Sequence, residues 1–555
     1  MSGDSFLKPL TWQTYPDDGR TSHLKPGQGA VRYNLILTGI PVDLKEVIRL
    51  ANIPGLVEAP GGTIPLGSLI TPHLLKLVPA LKTFEDLEIR LYNLAVNTTE
   101  KMVWETIQKI YSVAAENGRV VFADPNLITV APSSTGGGSG GAVGGPLDPL
   151  GRPGTEAEFI RHWAFGPDGI HLEDGKSARL TLDTTGKGVP VFVFDSCDRR
   201  IANEMNLTDQ QDESTALHHP ELRRNYPDRH LKLTISSPAG RFHRDQDLRR
   251  PVRILASNDP AKDVDEHGLF VAGIIHRVAP ESSIHLVDVL NREGRGEIFG
   301  LLKALWMLAE RAVNGAVNNP ENGGHPPLEG VVVNLSLGTT LSEHFVEKNI
   351  YGKLKDLRQG AYGSQPGSHL MLSLLDDMVN HNHYVGSLRL IIKLLYELGA
   401  VIVAASGNDS AKVAGERLKQ IPASYPEVIA VAASTAEKTK ANFSNLGDIM
   451  APGGGRDKPD IENDHFKYEA ASDDEEYIKF SVMSLVPKLH TDSDGFAYWR
   501  GTSFSAPFVS GLAALMIEKL KAHNLSLHPS YIRALILQYA RGGIINVQTI
   551  LGQIK

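Results

Sequence analysis

Near the end of the chain, Gly501-Thr-Ser-Phe-Ser-Ala-Pro507 runs into the strongly helical apolar stretch Phe508-Val-Ser-Gly-Leu-Ala-Ala-Leu-Met516. The hydroxyl of Ser503 therefore stands at the mouth of a helix. A helix N-terminus presents unpaired N–H groups and the positive end of a dipole, which suits an anion. A nucleophile placed there has part of an oxyanion hole supplied by its own backbone. Pro507 is tolerated only in a first turn, so it predicts a helix that begins close to Ser503. The same stretch also fits an ordinary capped helix, since Ser is a favoured N-cap. A second stretch, Asp265-Glu-His-Gly-Leu-Phe-Val-Ala-Gly-Ile-Ile-His-Arg-Val-Ala-Pro-Glu281, sets His267 at the start of another apolar helix. A third, Val189-Pro-Val-Phe-Val-Phe194, is rich in β-formers and ends at Asp195. Acyl transfer by a hydroxyl needs these three types. Neutral imidazole takes the hydroxyl proton, and a carboxylate fixes the tautomer and stabilises the imidazolium.

Such groups need a scaffold that brings distant segments to one edge. Val331-Val-Val-Asn-Leu335, Val401-Ile-Val-Ala-Ala405 and Val428-Ile-Ala-Val-Ala-Ala433 are near-continuous apolar runs, as in a parallel sheet covered on both faces. Between these runs and the earlier Val189–Phe194 run, helical periodicity appears at 267–278, 299–314 and 386–398. This alternation predicts an α/β fold with a doubly wound, mostly parallel sheet. Such folds bind ligands at the carboxyl ends of strands, where Asp195, Ser336 and Asn408 all fall.

Before this domain, residues 30–131 read as a small α+β unit with strands near 31–38, 86–94 and 120–128 and helices near 42–52 and 100–117. Residues 1–29 are polar and turn-rich and read as a loose arm. The segment 132–155 reads as a flexible linker, since seven of the ten residues 136–145 are Gly. It satisfies G-x-G-x-x-G and G-x-S-x-G by composition alone, with no strand before it or helix after it. Residues 156–555 form the α/β domain, with insertions expected near 201–262, 341–385 and 454–495.

At 555 residues the chain is long enough for two or more domains with substantial cores. A formal net charge of −8 is mild at this length and gives no reason to expect nucleic acid. The single cysteine, Cys197, excludes a disulfide within the chain and favours a reducing compartment. Cys197 itself reads as a small buried side chain. The run from Leu390 to Ala405 is interrupted by Lys393 and Glu397, so it reads as a helix followed by a strand and not as a membrane span. Residues 1–10 show no basic patch followed by an apolar run. A cytoplasmic protein without a membrane partner is the resulting expectation.

Taken in order, these blocks resemble the subtilisin-like serine peptidases, the subtilases. The resemblance runs over roughly 185–545 through Phe194-Asp195-Ser196, His267-Gly268 with Val271-Ala-Gly273, and Asn334-Leu-Ser-Leu-Gly338. It continues through Ala404-Ala-Ser-Gly-Asn408, Ala423-Ser-Tyr-Pro-Glu-Val-Ile-Ala430, Met450-Ala-Pro-Gly453 and Gly501-Thr-Ser503. The order Asp…His…Ser is also that of the family, so it matches a known case. The resemblance implies Ser503 as nucleophile, His267 as general base then acid, and Asp195 as the orienting carboxylate. It implies Asn408 as oxyanion donor with the backbone N–H of Ser503. Ser336, Leu337 and Gly338 would bind the backbone of a protein or peptide substrate by strand addition. Ala404, Ala405, Ser406 and Gly407 would line the primary specificity pocket, where small residues imply a broad slot.

The chain departs from the pattern at Cys197, where Gly is usual, and at Leu269 and Phe270, where the family has Thr and a second His. None of these positions supplies a triad group. Catalysis of this kind implies no cofactor. Many subtilases bind calcium, but no calcium ligand set matches here residue by residue. The N-terminal unit resembles a subtilase propeptide, most visibly at Val121-Phe-Ala-Asp-Pro-Asn126. By that analogy it would cap the cleft, with cutting between Asn126 and Glu156. The implied function is a self-inhibited precursor of a serine endopeptidase. Two other readings fit the same residues: a catalytically silent peptide-binding protein on this fold, and a peptidase dedicated to one partner.

Overall fold

The computed structural model of the chain describes residues 34–95, 98–130, 153–154, 162–165, 184–196, 233–236, 267–290, 294–318, 324–339, 351–361, 369–381, 385–408, 410, 419–455, 480–485, 496–540 and 543–555. The expected arm at 1–29, the Gly-rich run 136–145 and Cys197 lie outside these residues, as do most of 201–262 and 454–495.

The N-terminal unit is an α+β sandwich. Its elements are β1 (Asn34–Gly39), α1 (Pro41–Ala51), β2 (Val57–Pro65), β3 (Glu88–Asn93), α2 (Glu100–Glu116) and β4 (Phe122–Pro125), followed by the short β5 (Ile128–Val130). The four-stranded sheet has the order β2-β3-β1-β4, with β1 antiparallel to both β3 and β4. Pro41 opens α1, where its missing N–H costs nothing, and Asn52 closes it with φ 42°. Thr99 caps α2 by accepting from the Met102 N–H at 3.4 Å. Val103, Ile107, Ile110, Tyr111 and Ala114 of α2 repeat at helical spacing and are buried. Strand β2 escapes a reading by alternation because it carries Pro60, Gly61 and Gly62. Its pairing with β3 slips between Glu58 and Thr63 around Gly61, whose φ is 59°.

The second unit is the expected doubly wound α/β domain. In chain order it contains β6 (Pro190–Ser196), β7 (Leu233–Ser236), α3 (His267–Val278), β8 (Ser283–Leu290), β9 (Arg295–Glu297) and α4 (Ile298–Asn318). Then come β10 (Val332–Leu335), α5 (Gly352–Ala361), α6 (His369–His381), α7 (Gly386–Glu397), β11 (Val401–Ala405), β12 (Val428–Ser434), β13 (Ile449–Pro452) and α8 (Thr502–Ala522). Seven strands form one sheet in the order β13-β12-β11-β10-β6-β8-β7, and all its pairings are parallel. Alternate residues feed opposite faces. Val401 and Val403 join one buried cluster with Leu269, Phe508 and Leu512, while Ile402 and Ala404 join the other with Leu301 and Leu388. Burial on both faces is why these strands read as unbroken apolar runs.

The N-terminal unit docks on α4 and α7. Leu35, Ile89 and Phe122 share one apolar cluster with Leu301, Leu305, Leu388 and Leu395. Phe122 lies so close that a Cβ on Gly386 would sit 2.5 Å from its ring. The Asp124 carboxylate accepts from the N–H groups of Gly386 (3.1 Å) and Ser387 (2.8 Å), the open end of α7. Asn126 Oδ1 accepts from the Phe299 N–H at 2.9 Å, the open end of α4. Within 341–385, α5 and α6 also reach this unit. Leu354, Leu357, Met371 and Met378 are buried in the shared cluster, and a Cβ on Gly360 would lie 2.2 Å from the Ala115 carbonyl oxygen.

Asp124 is a charge brought into an apolar interface. Burial pushes its carboxyl up from 3.8 to about 6, against the hydrogen bonds from Ser387 and Gly386. A raised value in the folded chain means that the stabilising share of this group is complete below 3.8 and is lost as pH rises through about 6. Asp124→Asn keeps an acceptor and removes the titration. The thermal midpoint of the parent, measured relative to Asp124→Asn, should fall as pH rises from ~4 to ~6 and then level. A difference that does not change over that window would mean that Asp124 does not titrate there.

Candidate active site

The sheet order fixes the plan of the site. Asn408, Ser336 and Asp195 follow or end the adjacent strands β11, β10 and β6, so three distant segments meet at one carboxyl edge. Helices α3 and α8 bring His267 and Ser503 to the same edge at their first turns. They cross closely because residue 511 is Gly: a Cβ there would lie 2.6 Å from Val278 Cβ. Asp195, His267 and Ser503 are each 0% exposed, so the groups lie in a water-poor setting.

His267 Nδ1 lies 2.7 Å from Asp195 Oδ1. The same oxygen accepts from the Ser196 N–H at 2.7 Å. Ser196 also ties the strand end to the helix start, because its Oγ accepts from the Gly268 N–H at 3.3 Å. Gly268 is required there: a Cβ would fall 2.1 Å from the Ser196 carbonyl oxygen. His267 Nε2 has no hydrogen-bond partner. Ser503 Oγ donates instead to the Ser336 carbonyl at 3.3 Å. Apo sites often hold such groups apart until substrate arrives.

The ring of His267 stands against aromatic side chains. Phe504 lies 5.2 Å from it and Trp499 5.6 Å, centroid to centroid. Phe270 completes the cluster, 4.6 Å from Phe504 and 5.5 Å from Trp499. The departure at Phe270 therefore places an apolar wall behind the imidazole of His267, and Leu269 packs into the core.

Pro507 stands in the second turn of α8, not the first, because the helix begins at Thr502. The helix does begin close to Ser503 as expected; only the place of the proline differs, and for a specific reason. Proline lacks the N–H that would bond the Ser503 carbonyl. Ser336 Oγ donates to that carbonyl at 2.7 Å and replaces the missing donor. Asn334 Nδ2 donates to Ser336 Oγ, and Ser510 Oγ donates to Asn334 Oδ1, both at 2.9 Å.

Thr502 was not singled out by the sequence, yet it orders the other half of the site. Its N–H donates to Asn408 Oδ1 at 3.0 Å, which leaves Nδ2 as the donor end of that amide. Its Oγ1 accepts from the Gly407 N–H at 3.1 Å. Gly501, with φ 146°, makes the turn into the helix. Ala404, Ala405 and Ser406 are buried at the end of β11, and Leu337 is buried in the core. A broad slot was expected along 404–407; the side chain of Gln420 lies there, against both Gly407 and Gly338. The signal for a partner near Ser503 was present in Pro507; nothing local marked Gln420. Among the described residues, no group of three or more His, Cys, Asp or Glu is placed to hold a metal ion. No helix among them is long and apolar enough to cross a membrane.

A model of the subtilase family matches residues 211–553, which include His267, Asn408 and Ser503; Asp195 lies before the matched span. The subtilisin-like protease PopC of Myxococcus xanthus (strain DK1622) is 28% identical over 269 residues, covering 46% of this chain and 44% of PopC. Subtilisin NAT of Bacillus subtilis subsp. natto is 24% identical over 341 residues, covering 57% of this chain and 63% of that protein. The matches thus span less than two thirds of either relative. The crystal structure of the epidermin leader peptide processing serine protease EpiP from Staphylococcus aureus is 16% identical, with a TM-score of 0.48 over 94% of this chain and 98% of that one.

Ser336→Ala should leave the Ser503 carbonyl buried without a donor and cost about 1–3 kcal/mol in denaturant unfolding. Pro507→Ala restores an N–H to that carbonyl, so the cost of Ser336→Ala should shrink in the Pro507→Ala background. Equal costs in both backgrounds would mean that the hydroxyl is not the replacement donor.

Proposed function

The chain belongs to the subtilase family, and from that premise we propose that it is a serine endopeptidase acting through Asp195, His267 and Ser503. The observation that carries this reading is the buried 2.7 Å contact of His267 Nδ1 with Asp195 Oδ1, with Ser503 at the first turn of the helix packed against α3. Ser503 Oγ attacks the carbonyl carbon of the scissile bond, and its proton passes to His267 Nε2. The imidazolium is held by Asp195. The oxyanion is met by Asn408 Nδ2 and the Ser503 N–H. Collapse of the tetrahedral species returns the proton to the leaving amine and leaves an acyl-enzyme, which water then cleaves by the same steps. Every participant is a side chain or a backbone group, so the proposed chemistry needs no cofactor. Loss of the Asn408 donor is expected to lower turnover ~100- to 1000-fold.

The proposed substrates are proteins or peptides that add an extended strand beside Ser336-Leu-Gly338. The N-terminal unit is proposed as an intramolecular inhibitor. Two observations support it: the caps that Asp124 and Asn126 place on α7 and α4, and the antiparallel pairing of β5 with β9 on the way to the linker. The catalytically silent reading draws on one observation, the Ser503 hydroxyl turned to Ser336 and not to His267.

A fluorophosphonate separates the two. The full chain, tested before and after limited proteolysis of the Gly-rich linker, should take up the label at Ser503, faster once the linker is cut. Ser503→Ala should take up none, and His267→Ala should react at least ~100-fold more slowly. A parent chain that stays unlabelled in both states supports the silent reading and overturns the peptidase.

A further inference from the structure

A substrate strand laid beside Ser336–Gly338, as proposed, would turn the side chain just before the cut toward Ala404–Gly407, the pocket lining that the family resemblance implies. A third segment closes that pocket. The Gln420 N–H donates to the Ser406 carbonyl at 2.9 Å, which fastens this segment to one wall. The Thr339 N–H donates to the Ile421 carbonyl at 2.9 Å, and the Ile421 N–H to the Thr339 carbonyl at 3.3 Å, which fastens it to the other. Gln420 is thus strapped between the two walls by backbone bonds that do not depend on its side chain.

Its side chain points into the space the glycines leave. Gln420 Oε1 lies 2.6 Å from where a Cβ on Gly338 would be. Its Cδ and Cγ lie 2.5 and 2.6 Å from the corresponding point on Gly407. Real Cβ atoms do not approach other atoms so closely, so glycine at 338 and 407 makes room for Gln420. Gly407 carries φ 108°, a second reason for glycine there. Gln420 is 1% exposed, packed among these walls and not swung out to solvent.

We infer that Gln420 is the specificity-determining residue of this site and restricts the residue before the cut to short side chains: Gly, Ala or Ser. A Leu, Phe or Tyr at that position would have to displace a buried amide from between two glycines. The inference rests on the peptidase reading and adds a substrate class to it. It also reverses the expectation from small residues alone, which was a broad slot.

The test uses fluorogenic peptides that differ only at the residue before the cut. They are given to the full chain after linker cleavage, with fluorophosphonate titration fixing the active fraction. The parent should cleave Ala and Ser peptides at least ~10-fold better in kcat/KM than Phe and Leu peptides. Gln420→Gly, with Gln420→Ala as a second and less disruptive variant, should raise kcat/KM on Phe and Leu at least ~10-fold without a matching rise on Ala. A purely structural role for Gln420 would lower all substrates together and leave the ranking intact. Labelling with an unchanged ranking overturns this inference alone. Failure of the parent to label overturns the peptidase reading and this inference with it.

Discussion

The carbonyl of Ser503 is in the first turn of a helix whose residue four places on is proline, so the helix cannot satisfy it. It is fully buried, and a buried carbonyl without a donor is costly. The donor comes from the neighbouring strand end, Ser336 Oγ at 2.7 Å. Asn334 holds that hydroxyl, and Ser510, two turns further along α8, holds Asn334. One polar chain therefore pins α8 to β10 at two heights, inside an otherwise apolar contact. Satisfied buried networks of this kind are stiff, because any slip leaves a polar group stranded. Thr502 adds a second pin, to the end of β11 through Gly407 and Asn408. The hydroxyl of Ser503, the amide of Asn408 and the edge of Ser336 are fixed relative to one another by a defect in the helix.

The N-terminal unit works by the opposite balance. Its contact is a continuous apolar core, shared across β1, β4, α4 and α7. The polar groups in it are few and local. Helix α7 begins after Val385, which offers no capping side chain, and the missing cap is Asp124, 262 residues earlier. The carboxylate is well bonded yet pays in desolvation, which is why its titration moves toward neutral pH. Helices α5 and α6 widen the same contact from the far side of α2.

Much of this was legible in the sequence because it is local. The parallel strands are apolar runs, the helices carry their own periodicity, and the groups of the proposed triad sit at element ends whose types suit the chemistry. The doubly wound sheet and the small α+β unit follow from such signals. Other features depend on which segments meet. Strand β2 hides behind Pro60, Gly61 and Gly62 and is held by its pairing with β3. Helix α5 is polar along most of its length and, among its described side chains, buries only Leu354 and Leu357. Gln420 follows Lys419 in a stretch that reads as loop, and its importance comes from two glycines 82 and 13 residues away in sequence. Pro507 was read as a boundary marker, but its consequence is the missing donor.

In the function proposed here, Ser503 is a live nucleophile in a chain that restrains itself through its N-terminal unit. Intact-mass spectrometry tests it directly, on the purified full chain incubated beside Ser503→Ala. The parent should be cut between Asn126 and Glu156 while Ser503→Ala keeps its full mass. Cutting of both chains alike, or of neither, would contradict it.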